Sequence, residues 1–384
     1  MADTKQEYDG LGLVETQTVE LFQSGFEFES GVRFGPITVA YETYGTLNEA
    51  RDNAILVCHA LSGGAHAAGW HEDQRKPGWW DTMIGPGKSF DTNKYFVVSS
   101  SCIGSCYGTS GPASIDPETG KPYGLRFPMV TIRDMVEVQK GLVDFLGIKS
   151  LLCVAGGSMG GMQVLEWTVS HPECVRSAIP IATTWRHSAQ QIAFNEVARQ
   201  AVIADPAWNQ GDYYDSEGPR LGLAVGRMVG HITYLSDKGM EAKFGRRLRG
   251  KEKYGYDLSI DFEVESYLKH QGSSFVDRFD ANSFLYVTKA LDYFDLGERF
   301  ENMTDAFRNA KCPFLVIAFS SDWLYPPYQN KSIAEFVRRA GGDATFCEIS
   351  SDYGHDAFLL EYEQQASLIT AFLERSQRPV HSHA

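Results

Sequence analysis

The apolar run Leu151-Leu152-Cys153-Val154-Ala155 leads directly into Gly156-Gly157-Ser158-Met159-Gly160, and a segment of helical spacing begins at Met159. No other feature constrains the fold as much. A short, dense apolar run reads as a strand buried on both faces. G-x-S-x-G between such a strand and a helix reads as a turn so tight that the neighbours of the serine must be small. The helix N-terminus then directs its dipole and free N–H groups at charge developing beside Ser158. A plain glycine-rich strand–helix turn carries the same letters. The flanking strand and helix favour a nucleophilic serine.

The surrounding chain repeats the strand–helix theme. Residues 26–31 and 37–45 alternate apolar and polar residues and predict an antiparallel hairpin. Residues 53–61 and 95–101 are further buried strands. Residues 131–147 predict a helix with Thr131 as N-cap and Gly147 just past its end. A helix at 159–172 and a strand at 177–183 follow. The alternation returns with strands at 312–322 and 344–350 and helices at 329–340 and 356–375. This is a doubly wound α/β pattern with a mostly parallel sheet. Between its two parts, residues 186–300 show helical spacing and no dense strand run. The expected organisation is a core at 1–185, a helical lid insertion at 186–300, and the rest of the core at 301–384. The polar first fifteen residues and the tail from Arg375 are expected to lack regular structure.

A serine nucleophile needs a base, and the base needs an orienting acid. Asp322 ends the strand run near 320, where a loop at the carboxyl edge of the sheet begins. His355 lies in the loop after the strand at 344–350. Ser158, Asp322 and His355 thus follow one another in the order this architecture uses, each just past a strand end. The competing histidines are placed less well: His59 and His66 precede Ser158, His171 ends a helix, His231 and His270 lie in the insertion, and His381 and His383 lie in the tail. His59-Ala60-Leu61-Ser62-Gly63-Gly64 follows a central strand, where a second oxyanion donor belongs. The backbone N–H groups of Leu61 and Met159 are the candidates; Gly63 and Gly64 merely turning the chain is the alternative.

Several longer stretches match one family: GWWDTMIGPGKSFDTNKYFVV (78–98), GTSGPASIDPETGKPYG (108–124), GGSMGGMQVLEW (156–167), GRMVGHITYLS (226–236), FVDRFDANSFLY (275–286), SSDWLYPP (320–327) and YGHDAFLLE (353–361). The chain resembles the homoserine O-acyltransferases of the α/β-hydrolase fold, specifically the acetyl-transferring branch, over about residues 17 to 375. The resemblance implies a ping-pong reaction through an acyl-serine, with Ser158, Asp322 and His355 as nucleophile, acid and base. It implies Arg227 and Asp356 as substrate-binding residues, with Tyr234 in support. Homoserine is a zwitterion, so a guanidinium suits its carboxylate and a carboxylate its ammonium. Read without the resemblance, Arg227 is a salt-bridge residue and Asp356 a helix N-terminal charge. Succinyl-transferring relatives carry an arginine two residues after the triad aspartate; Leu324 stands here, which suits acetyl. The implied co-substrates are acetyl-CoA and L-homoserine, with no permanently bound cofactor, a homodimer through the lid, and a place in methionine biosynthesis. The stretch Ser101-Cys102-Ile103-Gly104-Ser105-Cys106 and Gly226 depart from the family pattern, and the first of these bears on the pocket wall.

Composition sets the outer bounds. Lys and Arg total 35 against 49 Asp and Glu, a net charge of −14, which argues against a phosphate-tracking nucleic-acid binder. No run approaches the roughly 18 apolar residues of a membrane span, and the first residues carry no secretory pattern. Seven cysteines, several in apolar runs, fit reduced thiols in a cytoplasm. Cys102 and Cys106 lack a second ligand pair at zinc spacing, so no metal is expected. The rival functions are succinyl transfer to homoserine, acyl transfer to serine, and hydrolysis by a thioesterase or carboxylesterase with the same triad. A non-catalytic binding module of the same fold is the most distant reading.

Overall fold

The computed structural model describes residues 10–72 and 74–376. Its centre is an eight-stranded sheet. The strands are β1 (Gln17–Leu21), β2 (Ile37–Tyr44), β3 (Ala54–Cys58), β4 (Phe96–Ser100), β5 (Leu151–Gly157), β6 (Ala178–Ile181), β7 (Phe314–Phe319) and β8 (Ala344–Ile349). Their spatial order is β1-β2-β4-β3-β5-β6-β7-β8. β2 runs antiparallel to both neighbours, and every pairing from β4 to β8 is parallel. Every residue of β3, β5, β6 and β7 is buried, because helices cover both faces of a parallel sheet.

The expected hairpin does not form. Phe26–Glu27 pairs only with Arg33–Phe34, a two-residue ladder, while β2 pairs with β1 on one side and β4 on the other. A buried strand must satisfy backbone groups along both edges, and a two-residue neighbour supplies too few partners. The first residues also differ from expectation. Val14 N–H donates to Trp70 O at 2.9 Å and Trp70 N–H to Gly12 O at 2.9 Å, which ties residues 12–14 to the body. The expectations for residues 1–9 and for the tail beyond Ser376, His381 and His383 included, lie outside the described residues.

Two helices pack beside the nucleophile strand. α1 (Ile132–Phe145) opens with a capping box in which the Thr131 side chain accepts from Asp134 N–H and the Asp134 side chain accepts from Thr131 N–H. Such a cap contributes on the order of 1 kcal/mol. α2 (Met159–Ser170) follows the serine turn.

Between β6 and β7 the described chain holds α3 (Ala189–Ile203), α4 (Arg220–Tyr234), α5 (Asp237–Lys243), α6 (Glu263–Val276) and α7 (Ala281–Tyr293), and no strand of the main sheet. Ala198, Val202, Leu223, Phe275 and Phe284 form a separate apolar cluster. α7 bridges that cluster and the sheet core: Ala281, Phe284 and Leu285 belong to the first, and Tyr286, Val287, Ala290 and Leu291 to the second. α7 is therefore one anchor of the helices above the sheet.

α8 (Pro327–Arg339) precedes β8. Beyond β8 the single helix expected at 356–375 is broken. A 3-10 turn at Gly354–Asp356 and a short turn at Ala357–Leu360 precede α9 (Tyr362–Ser376). The buried Gln365 amide donates to Phe358 O at 3.1 Å, occupying a carbonyl that a continuous helix would have paired.

Candidate active site

Ser158 joins β5 to α2 with φ 57° and ψ −122°, a conformation that non-glycine residues adopt only when their surroundings over-determine it. Its N–H donates to Ile181 O at 2.9 Å, and its carbonyl accepts from Thr183 Oγ1 at 2.8 Å. The glycines permit close approach. A Cβ at Gly160 would lie 2.1 Å from Cys58 O, and one at Gly157 would lie 2.4 Å from the Phe358 ring.

The Ser158 hydroxyl meets an imidazole. His355 Nε2 lies 2.9 Å from Ser158 Oγ, and His355 Nδ1 lies 2.7 Å from Asp322 Oδ2. All three side chains are buried. Asp322 is held from its other oxygen, where Oδ1 accepts from Leu324 N–H at 3.0 Å and Tyr325 N–H at 2.8 Å. The rings of Tyr325, Phe358 and Tyr234 surround His355 at centroid distances of 4.9, 5.4 and 6.1 Å.

Met159 is the first residue of α2, so its N–H is one of the donors a helix leaves without an internal partner. Leu61 stands in the loop after β3 and lines the same cavities as Ser158. That loop is braced by His59. Its Nδ1 lies 2.7 Å from Ala60 O, and its Nε2 accepts from Cys102 N–H at 3.0 Å. Burial pushes the His59 imidazole down to about 4, so it stays neutral and carries its proton on Nδ1. Further along, buried Glu42 accepts from Thr16 Oγ1 at 2.7 Å and Tyr44 Oη at 2.6 Å, and lies 3.1 Å from His66 Nδ1 and 2.9 Å from His71 Nε2. Tyr44 Oη in turn accepts from Ala67 and Ala68 N–H. Glu42, His66 and His71 have the spacing of metal ligands. Each carboxylate oxygen already has two partners, however, which satisfies its lone pairs without an ion.

Two cavities meet at Ser158. The outer one encloses about 260 Å³ and is lined by Arg227, Tyr234, His355 and Asp356 among others. The inner one encloses about 60 Å³ and is lined by Leu324, Tyr325, His187 and Leu291 among others. Arg227, Tyr234 and Leu61 line both. Arg227 lies over the rings of Phe275 at 4.6 Å and Tyr234 at 5.6 Å. Among the described residues its one side-chain hydrogen bond is long, 3.5 Å to Ser62 Oγ, and its Nε is buried without a partner. Burial raises the Asp356 carboxyl above its ordinary value, against the opposing pull of His355 and Arg227. Burial likewise raises the Tyr234 phenol. Neither Arg227 nor Asp356 forms an ion pair among the described residues, so two opposite charges in one cavity are left uncommitted. His231 is pushed down to about 3 by burial and by the charges of Arg227, Lys243 and Arg278.

Sequence reasoning missed the polar wall of the inner cavity. His187 Nε2 lies 2.9 Å from Tyr325 Oη across 138 residues of chain. Tyr325 stands inside SSDWLYPP, yet no local signal separates it from its neighbours. The departures from the family pattern also fall differently than expected. Among the described residues, none of 101–106 lines either cavity, while Gly226 lines the inner one. Ser101 Oγ instead accepts from Ala65 N–H at 2.9 Å and so braces the Leu61 loop.

The strand order and the serine turn define the class: an α/β-hydrolase-fold protein, and the family described as the alpha/beta hydrolase fold matches residues 53–362. Within that class the homoserine O-acetyltransferase of Methanosalsum zhilinae is 58% identical over 94% of this chain and 73% of its own. The crystal structure of the homoserine O-acetyltransferase from Bacillus anthracis superposes with a TM-score of 0.89 at 30% identity, covering 96% of this chain and 99% of that one. The structure of esterase E22 superposes with a TM-score of 0.86 at 32% identity, covering 94% of this chain and 100% of that one. The chain belongs to the homoserine O-acetyltransferase family.

Proposed function

We propose that the protein transfers an acetyl group from acetyl-CoA to the hydroxyl of L-homoserine, in methionine biosynthesis, through an acetyl-Ser158 intermediate. In the first half-reaction His355 Nε2 takes the Ser158 proton as Oγ attacks the thioester carbon. The tetrahedral oxyanion is held by the N–H groups of Leu61 and Met159. The C–S bond then breaks, and the proton on His355 passes to the leaving sulfur. In the second half-reaction His355 takes the homoserine hydroxyl proton while that oxygen attacks the acetyl carbon. The bond to Ser158 breaks, and the serine recovers the proton. Asp322 orients the imidazole and stabilises its cationic form. Leu324, apolar and lining the inner cavity, suits a short uncharged acyl group.

The observation that carries this reading is the pair of uncommitted charges facing Ser158. In this reading Arg227 takes the homoserine carboxylate and Asp356 its ammonium, with Tyr234 packed between guanidinium and base. Arg278 and Lys243, whose charges act on His231 beside the same cavity, supply the positive field for the phosphates of CoA despite the net −14. Leu221, Val225 and Ile232 are exposed on α4, which supports a homodimer formed through the helices above the sheet. All seven cysteines are free, which supports a reducing cytoplasm. Among the described residues no helix is long and apolar enough to cross a membrane.

The likeness to esterase E22 favours one second reading, hydrolysis of the acyl-enzyme by water. Incubation with acetyl-CoA, with and without L-homoserine, separates the two. Transfer predicts CoA release that depends on homoserine and matches O-acetylhomoserine formed. Equal CoA release without homoserine overturns it.

A further inference from the structure

Behind Ser158 a second chain of hydrogen-bonding groups runs parallel to the first. Asp292 is nearly inaccessible and ionised. Burial works to raise its carboxyl, but His187, Asn195 and Arg199 together hold it below its ordinary value. Arg199 lies 2.7 Å from its Oδ2, and Asn195 Nδ2 donates to its Oδ1 at 2.7 Å. His187 Nδ1 faces the same Oδ1 at 3.4 Å. Burial keeps the His187 imidazole below its ordinary value, so it is neutral, and the carboxylate draws its single proton to Nδ1. Nε2 is then an acceptor, and the only hydrogen at its 2.9 Å contact is that of Tyr325 Oη.

The Tyr325 proton is therefore spent on His187. What the phenol offers the inner cavity, and the Ser158 side chain with which it also hydrogen-bonds, is oxygen lone pairs, with the Asp292 carboxylate behind them. The cation nearest this network is not free, since Arg199 pairs with both Asp292 and Glu196, each at 2.7 Å. Arg227, the only Arg or Lys lining the inner cavity among the described residues, also lines the outer one.

We propose that Tyr325, oriented by His187 and Asp292, is a specificity-determining residue that excludes acyl groups bearing a terminal carboxylate from the inner cavity. This rests on the inner cavity receiving the acyl group of the proposed reaction. It goes beyond the apolar character of Leu324: an uncharged wall withholds attraction, whereas lone pairs backed by a carboxylate repel. Replacing Leu324 by arginine then corrects only half of the selectivity.

The test measures acylation of Ser158 by acetyl-CoA and by succinyl-CoA without homoserine, following intact-protein mass and CoA release. The native chain is compared with Tyr325→Phe, His187→Leu, Leu324→Arg and the double variant Leu324→Arg/Tyr325→Phe. Tyr325→Phe removes the oxygen. His187→Leu removes the acceptor and frees the phenol proton to turn into the cavity. Each is expected to raise the succinyl-to-acetyl ratio by about tenfold or more, the scale of relieving one unmatched buried polar contact. The double variant is expected to exceed Leu324→Arg by a similar factor. A ratio unchanged by Tyr325→Phe in either background overturns the proposal. If Tyr325→Phe fails to fold, an unchanged ratio in His187→Leu does so. Failure of the transfer reading shows separately, as acylation that proceeds while homoserine leaves CoA release unstimulated.

Discussion

His355 Nε2 sits 2.9 Å from Ser158 Oγ although 197 residues separate the two along the chain. The contact exists because β5 and β8 are parallel members of one sheet and release their loops at the same edge. Ser158→Ala is expected to lower kcat by roughly 10⁴- to 10⁶-fold and to abolish the acetyl adduct in the intact-protein mass. Asp322→Asn is expected to cost about 10⁴-fold, because the amide no longer holds the imidazole proton on Nδ1. An acetyl adduct persisting in Ser158→Ala would place the nucleophile elsewhere.

Arg227 and Asp356 act on the second half-reaction in the proposed mechanism. Arg227→Gln and Asp356→Asn are expected to lower kcat/KM for homoserine by roughly 30-fold or more, the cost of leaving one buried charge of a pair unmatched. The burst of CoA release without homoserine should fall much less. Equal losses in both half-reactions would assign these residues to CoA binding or to folding instead.

Asp356 also sets a pH dependence. Its carboxyl is raised by burial, so it protonates at a higher pH than an ordinary aspartate, and the ammonium partner is lost as pH falls through that raised value. KM for homoserine should therefore climb on acidification before the fold fails. In Asp356→Asn that climb should be absent. A KM profile with the same acid limb in the variant would remove Asp356 from substrate binding.

His59 contributes to acid lability. Its folded value of about 4 lies below the ordinary 6.5, so between those pH values the unfolded chain binds the extra proton. Stability then rises with pH across the window and is lost as pH falls from about 6.5 towards 4, by about 3 kcal/mol in all. Above 6.5 the group contributes no pH dependence. Urea unfolding of His59→Asn should show a shallower decline over this window; an identical slope would show that other groups carry it.

The turn glycines are under steric demand. Gly160→Ala places a Cβ 2.1 Å from Cys58 O, and neither β3 nor α2 can yield without moving Ser158. A loss of about 2 kcal/mol, typical of overpacking in a tight core, is expected in urea titrations, together with a large fall in acylation rate. Full activity at native stability would show that the turn relaxes.

Local pattern was legible and distant pairing was not. Thr131 read as a helix start because an N-cap acts within a few residues of itself, and the structure completes it as a capping box with Asp134. The alternation at 26–31 and 37–45 misled, because it records which faces are buried and not which strand lies alongside. The break at Glu361 was hidden for a similar reason: the Phe358 carbonyl is taken by the side chain of Gln365, which is itself a good helix residue. In the site, Ser158 was legible from its glycine neighbours, and Asp322 and His355 from chain order. Tyr325, His187 and Asp292 were not. Each is an ordinary residue until the chain brings them together over more than a hundred positions.

The amino-acid sequence by itself determined the strand–helix alternation, the serine turn and the order of the groups past each strand end. These follow from side-chain volume, hydropathy period and backbone freedom within a few residues. Only the tertiary structure decided which charges stay uncommitted, as with Arg227 and Asp356, and which are consumed, as with Arg199 and Glu42. A charge acquires its role from what lies within a few ångströms of it. That neighbourhood is set by how the helices close over the sheet, a relationship no short stretch of chain contains.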